Sequence, residues 1–71
     1  MSEISDRNFI KLNLEKLPDE TIIKILLNYK SKLDECKARV EKPKIGTYIF
    51  TNKLTDNLAF MIRKSIEGYL N

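Results

Sequence analysis

Apolar and polar side chains alternate over residues 9–15 near the start of the chain. A period of two is typical of a half-buried strand, so the pattern predicts a short N-terminal β-strand. A helical interpretation stays open, because Ile10, Leu14 and Leu17 would share one face of a helix.

A different pattern begins at Pro18, which is followed by Asp19 and Glu20. Proline is pre-organised for a first helical turn, and carboxylates there offset the positive end of the helix dipole. Apolar residues then recur at alternating spacings of four and three, which is typical of a heptad seam. We expect one long helix over about residues 18–42, ended by Pro43. The seam consists of Ile22, Leu26, Tyr29, Leu33, Cys36 and Val40.

The remaining chain predicts one further helix. Segment 44–51 is rich in β-branched and aromatic residues, so a loop or short strand is expected there. Thr51 or Asn52 can cap the next helix by accepting a hydrogen bond from a free backbone N–H. The apolar residues that follow predict a C-terminal helix over about 52–70. The expected fold is mainly α, with a single small domain over residues 1–71.

The predicted long helix bears on the oligomeric state. It would extend about 37 Å, whereas a compact globule of 71 residues has a radius of gyration near roughly 11 Å. Ile23, Ile25 and Leu27 add apolar groups outside the seam, so its first half is expected to be enclosed on several sides. Its second half must pack on the last helix, pack on another subunit, or protrude. We therefore expect a homodimer or another macromolecular partner.

Composition and charge narrow the class of protein. A 42% hydrophobic and 32% charged content fits a folded chain, and a net charge of +3 mildly favours an acidic partner. No apolar run approaches the roughly 20 residues of a membrane span. The first residues lack the pattern of a secretory signal, and the single cysteine fits a reducing compartment. A cytoplasmic protein without membrane contact is expected.

The chemistry available to the chain is narrow. It has no histidine, which excludes a histidine general base, nucleophile activator or metal ligand. Cys36 lies in the apolar seam, where a thiol usually fills the core. Gly46 and Gly68 form no phosphate-binding loop, and one cysteine makes no zinc site. We expect no enzyme, no metal site and no small-molecule cofactor.

A strand followed by a helix that opens Leu17-Pro18-Asp19-Glu20 resembles the ribbon-helix-helix family of DNA-binding regulators. The last helix adds to the resemblance, although the long first helix and the segment after Pro43 depart from the family's pattern. The resemblance implies a dimeric DNA-binding regulatory protein. The matching residues of the last helix are Ile62-Arg63, Ser65, Ile66 and Tyr69-Leu70.

The resemblance also implies how DNA is contacted. Two copies would pair their strands into an antiparallel ribbon that reads the major groove of double-stranded DNA. Lys11 and Asn13 would face the bases, and the start of the last helix would hold a backbone phosphate. These polar residues equally suit the solvated side of an ordinary strand or helix. The residues expected to contact DNA are Arg7, Lys11, Asn13, Thr51, Asn52 and Lys53.

The alternative hypothesis is a non-enzymatic, protein-binding accessory subunit or inhibitor. The apolar face of the long helix would dock against a partner helix. Phe60 lies away from the main apolar stripe of the last helix, and exposed aromatic residues often anchor interfaces. Tyr48 and Phe50 folding over Phe60 is the competing interpretation. The expected partner-binding residues are Tyr29, Leu33, Cys36, Val40 and Phe60.

Overall fold

The computed structural model describes the backbone of residues 4–42 and 46–71, and the side chains of residues 4–39 and 49–71. Within these ranges four helices gather around one apolar core, and a two-stranded antiparallel sheet follows the third helix. The helices are α1 (Asp6–Leu14), α2 (Asp19–Asn28), α3 (Lys30–Glu35) and α4 (Asp56–Leu70), the strands are β1 (Arg39–Lys42) and β2 (Gly46–Ile49), and a 3-10 turn covers Thr51–Lys53.

The N-terminal strand predicted over residues 9–15 is wrong, because nearly all of this stretch belongs to α1. The Ser5 hydroxyl caps that helix by accepting a hydrogen bond from the backbone N–H of Asn8 at 3.2 Å. Ile10 and Leu14, one turn apart, are buried in the core. The helical alternative is therefore correct, and residues 9–15 do not supply the strand that a DNA-reading ribbon requires.

Polar contacts reinforce the packing of α1 on α4. Arg63 donates from Nη1 to the carbonyl oxygen of Ile4 at 2.8 Å and to Oδ1 of Asp6 at 3.0 Å. Its guanidinium also lies 4.6 Å from the centroid of the Phe9 ring. The hydrogen bond to Asp6 is the main cause that raises the pKa of Arg63 above its ordinary value. One side chain of α4 thus contacts Ile4 before α1 and both Asp6 and Phe9 in its first turn.

The long helix predicted over about 18–42 is also wrong. A helix does begin directly after Pro18, but its backbone leaves helical geometry at Tyr29, where φ is −113° and ψ is 15°. The hydroxyls of Tyr29 and Ser65 hydrogen-bond at 2.8 Å, which ties this break to α4. The short helix α3 continues beyond the break and ends at Glu35.

α3 ends because Lys37 adopts left-handed backbone geometry, with φ of 57°. The N–H of Lys37 donates to the carbonyl of Asp34 at 3.2 Å, and the N–H of Ala38 donates to the carbonyl of Leu33 at 2.9 Å. Together these bonds form a Schellman motif, and the burial of Leu33 and Ala38 supplies its usual apolar contact. The chain then turns into β1, so the long second half of the helix, expected to pack on the last helix, pack on another subunit or protrude, does not form.

β1 and β2 form an antiparallel pair in which Arg39 lies opposite Ile49. Val40, assigned by the sequence pattern to the helical seam, is a residue of β1. β2 falls within segment 44–51, for which a loop or short strand is predicted. Pro43, the predicted helix terminator, lies outside the described residues.

α4 begins at Asp56, later than predicted. The Thr55 hydroxyl is its cap and accepts a hydrogen bond from the backbone N–H of Leu58 at 3.2 Å. The cap expected at Thr51 or Asn52 is therefore wrong. Both residues belong to the 3-10 turn. Thr51 is also buried, so its hydroxyl does not cap the helix that begins farther along the chain.

The core lies between α4 and the inner sides of α1, α2 and α3. The radius of gyration over Cα atoms is 11.4 Å, close to that of an ordinary compact chain of this length. Each large side chain that is fully buried contributes about 1.5–3 kcal/mol to folding. The core residues are Ile10, Leu14, Leu17, Ile25, Leu26, Leu33, Ala38, Leu54, Leu58, Ala59, Ile62 and Ile66.

Candidate interaction surface

Three of the residues predicted to contact DNA are engaged inside the fold. Arg7 donates from Nη2 to the carbonyl oxygen of Leu54 at 2.6 Å and to Oδ1 of Asp56 at 2.9 Å. The side-chain amide of Asn13 donates to the carbonyl oxygen of Phe9 at 2.9 Å. Thr51 is buried. Arg7 and Asn13 thus form bonds within the chain, and a contact of Thr51 with a base or phosphate would require its packing to be broken.

The other three, Lys11, Asn52 and Lys53, are exposed. Lys11 and Thr51 line one groove of about 220 Å³ between α1 and the 3-10 turn, so the fold brings these two predicted sites together. Glu15 lines the same groove, and its carboxylate opposes a phosphate there. The helix start that was expected to offer free N–H groups at residues 51–53 lies later, because α4 begins at Asp56.

The predicted partner-binding seam mostly faces the core. Leu33 is completely buried, and the Tyr29 hydroxyl is bonded to Ser65. Cys36 is half-buried beside a groove between α3 and α4. Val40 lies in β1, so it no longer extends a helical stripe. The seam is thus used within the chain.

Phe60 differs from the seam residues, since its side chain is 49% exposed on the outer side of α4. The Lys64 ammonium lies 5.4 Å from the centroid of its ring. A cation over the face of an aromatic ring is a favourable contact. The ring is therefore partly covered by its own helix, although much of it stays open to solvent.

A larger apolar exposure lies on α2. Ile23 is 50% exposed and Leu27 is 65% exposed, and the two residues are one helical turn apart on the same side. The expected enclosure of this part on several sides is wrong for both residues, whereas Ile25 is fully buried. The sequence indicates this exposure through the position of both residues outside the heptad seam. An apolar residue away from the core-facing side of a helix is covered only if a second surface packs on it.

Opposite charges lie at the two ends of this apolar pair. Glu20 is exposed one turn before Ile23, and Lys30 is exposed three residues after Leu27, just past the break at Tyr29. Glu20, Ile23, Leu27 and Lys30 are called the α2 face below. Its centre is apolar, with a carboxylate at one end and an ammonium at the other.

The Lys30 end of the α2 face has a further anion beside it. Lys30 Nζ lies 3.2 Å from Oδ2 of Asp34, whose Oδ1 accepts a hydrogen bond from Arg39 Nε at 2.9 Å. The hydrogen bond from Arg39, and then that from Lys30, lowers the pKa of Asp34 below its ordinary value. Asp34 therefore keeps a cationic partner in Arg39 when Lys30 turns to another carboxylate.

Among the described residues, no three Cys, Asp or Glu side chains gather as a metal site would require. In the same part of the chain, no helix has the length and apolarity needed to cross a membrane. Comparison with protein-family models, curated proteins and solved structures gave no match for this chain.

Proposed function

We propose that this chain is a non-catalytic protein-binding module that engages its partner through the α2 face. The observation that carries the proposal is the exposure of Ile23 and Leu27 on the same side of one helix. Two aliphatic side chains one turn apart are the spacing with which a helix packs on another helix.

The free energy available from this pair supports the proposal. Full burial of an aliphatic side chain contributes about 1.5–3 kcal/mol. Since half or more of Ile23 and Leu27 is still exposed, docking adds about 1–2 kcal/mol from each. Single exposed apolar residues are common on protein surfaces, but here both lie between charges that define an orientation.

The charges of the α2 face favour a protein over DNA. Binding to DNA depends on several cations that neutralise phosphates. The α2 face instead has one carboxylate, one ammonium and an apolar centre. Complementary charges at the rim of an apolar contact set the register and the choice of a protein partner.

Photo-crosslinking in the cells that produce the protein tests this proposal. The full chain would carry p-benzoylphenylalanine in place of Leu27, and a matched chain would carry it in place of Asn8, which is exposed on α1. We expect protein adducts from position 27 and few from position 8. Adding Ile23→Asp should remove the adducts from position 27. Equal adduct yields at both positions, or none at either, would refute binding through the α2 face.

A further inference from the structure

We infer that the partner of the α2 face is a second copy of this chain, docked antiparallel along α2. The inference rests on the proposed function and names its partner. Its basis is the order of side chains along the face: Glu20, then Ile23 and Leu27, then Lys30. This order is complementary to its own reverse.

The complementarity follows from a two-fold axis that passes midway between Ile23 and Leu27. In an antiparallel pair, Ile23 of each copy lies against Leu27 of the other, so the same apolar contact is made twice. Glu20 of each copy then lies at the height of Lys30 of the other, because both are equally distant from the axis along the chain. A two-fold interface of this kind uses the same surface on both subunits.

The charges of Glu20 and Lys30 favour one of the two possible orientations. A parallel pair would bring Glu20 against Glu20 and Lys30 against Lys30, and like charges facing each other are repulsive. The antiparallel pair replaces both repulsions with attractions. It also places the positive end of each α2 dipole beside the negative end of the other.

The reach of the charged side chains fits this arrangement. Glu20 and Lys30 lie on opposite sides of the axis, each five residues from it along the chain, with Lys30 just past the break at Tyr29. The Lys30 side chain is 53% exposed, and its present anion, Asp34, is shared with Arg39. Lys30 can therefore turn to a second carboxylate without leaving Asp34 unpaired.

The small size of the contact sets the expected affinity. A pair of two-turn helix faces buries less than the roughly 1,200 Å² of a standard interface. We expect a reversible dimer with a Kd of about 10–100 µM. Such a dimer forms where the chain is locally concentrated and separates on dilution.

Sedimentation equilibrium of the full chain, over roughly 10 µM to 1 mM to bracket the expected Kd, tests the inference. The apparent mass should rise from 8.3 kDa towards twice that value. Glu20→Lys and Lys30→Glu should each weaken association by about 3–10-fold, because each turns two attractions into repulsions at an exposed rim. An equimolar mixture of the two variants should associate at least as well as the natural chain, since every Glu20–Lys30 contact then regains opposite charges. Circular dichroism of each variant checks that the helices are intact.

Mixing the two variants distinguishes a loss of the antiparallel contacts from a loss of the fold. A variant that has lost its fold is not rescued by mixing with another variant. A chain that stays monomeric to 1 mM, or a dimer indifferent to all these changes, would overturn the antiparallel pairing. If the chain is monomeric but Leu27 crosslinks to a different protein, the self-association fails while the proposed function stands. If it is monomeric and position 27 gives no adduct, both fail.

Discussion

The guanidinium of Arg63 lies over the ring of Phe9 at 4.6 Å from its centroid, while its hydrogen bonds reach Ile4 and Asp6 on either side of the capping residue of α1. A planar cation with several donors can make these contacts together. Arg63 therefore holds both the cap region and the first turn of α1 against α4. An ammonium at this position can satisfy only part of the same set.

Replacing Arg63 should loosen α1 from α4. Arg63→Lys keeps the charge but loses the planar stacking and the divergent donors, so we expect it to lower Tm by several degrees, and Arg63→Ala to lower it further. Lys64→Ala is the matched control, because Lys64 is a more exposed cation of the same helix. Thermal unfolding followed by circular dichroism measures all three. Equal Tm values for Arg63→Ala and Lys64→Ala would show that the Arg63 contacts contribute nothing to stability.

Lys37→Gly should stabilise the chain. The left-handed geometry of Lys37 is unfavourable for a residue with a Cβ and costs glycine nothing. Allowing for the greater freedom of glycine in the unfolded chain, we expect a gain of about 0.5–1 kcal/mol in the free energy of unfolding. Urea denaturation measures the change. Lys37→Ala removes the same charge but retains a Cβ, so a similar gain from alanine would attribute the effect to charge instead of backbone geometry.

The Asp34 cluster predicts a dependence of stability on pH. Hydrogen bonds from Arg39 and Lys30 lower the pKa of Asp34 from its ordinary value of 3.8. A carboxylate with a lowered folded-state pKa contributes stability above its unfolded pKa and loses that contribution as pH falls through the folded value. We expect the natural chain to be more stable than Asp34→Asn near neutral pH, with the difference constant down to about pH 5.

Urea denaturation of both chains between neutral pH and strongly acidic pH measures this difference. It should shrink as pH falls below 3.8. Asp56→Asn is a suitable comparison, because the Asp56 side chain is 96% exposed in its contact with Arg7 and such a pair contributes little. A stability difference for Asp34→Asn that does not change with pH would exclude the charge of Asp34 as its cause.

The sequence located the chain's helical content better than its boundaries. Two features could be predicted, namely the start of α2 after Pro18 and the apolar side of α4. In both places the residue types and the spacing of apolar residues indicate a helix. Over residues 9–15 the sequence pattern favoured a strand and left a helix open. The helix that forms is capped at Ser5, within a polar stretch that has no periodicity of its own.

The end of α3 could not be predicted from composition. A Schellman motif usually has glycine or asparagine at its left-handed position. Here Lys37 occupies that position, and the buried side chains of Leu33 and Ala38 provide the apolar contact of the motif. The heptad seam continued past this point because Cys36 and Val40 fit its spacing, although Val40 is a residue of β1. Tertiary packing, rather than local preference, decided the outcome.

The packing of α1 on α4 has a consequence for the newly made protein. Arg7 and Asp56 are 49 positions apart, and Arg63 reaches back 59 positions to Ile4. During translation α1 leaves the ribosome long before the helix that covers it. α4 can cover the apolar side of α1 only after residues 56–70 have also left the ribosome, so we expect a nascent chain stalled before residue 56 to expose Ile10 and Leu14 to chaperones and proteases.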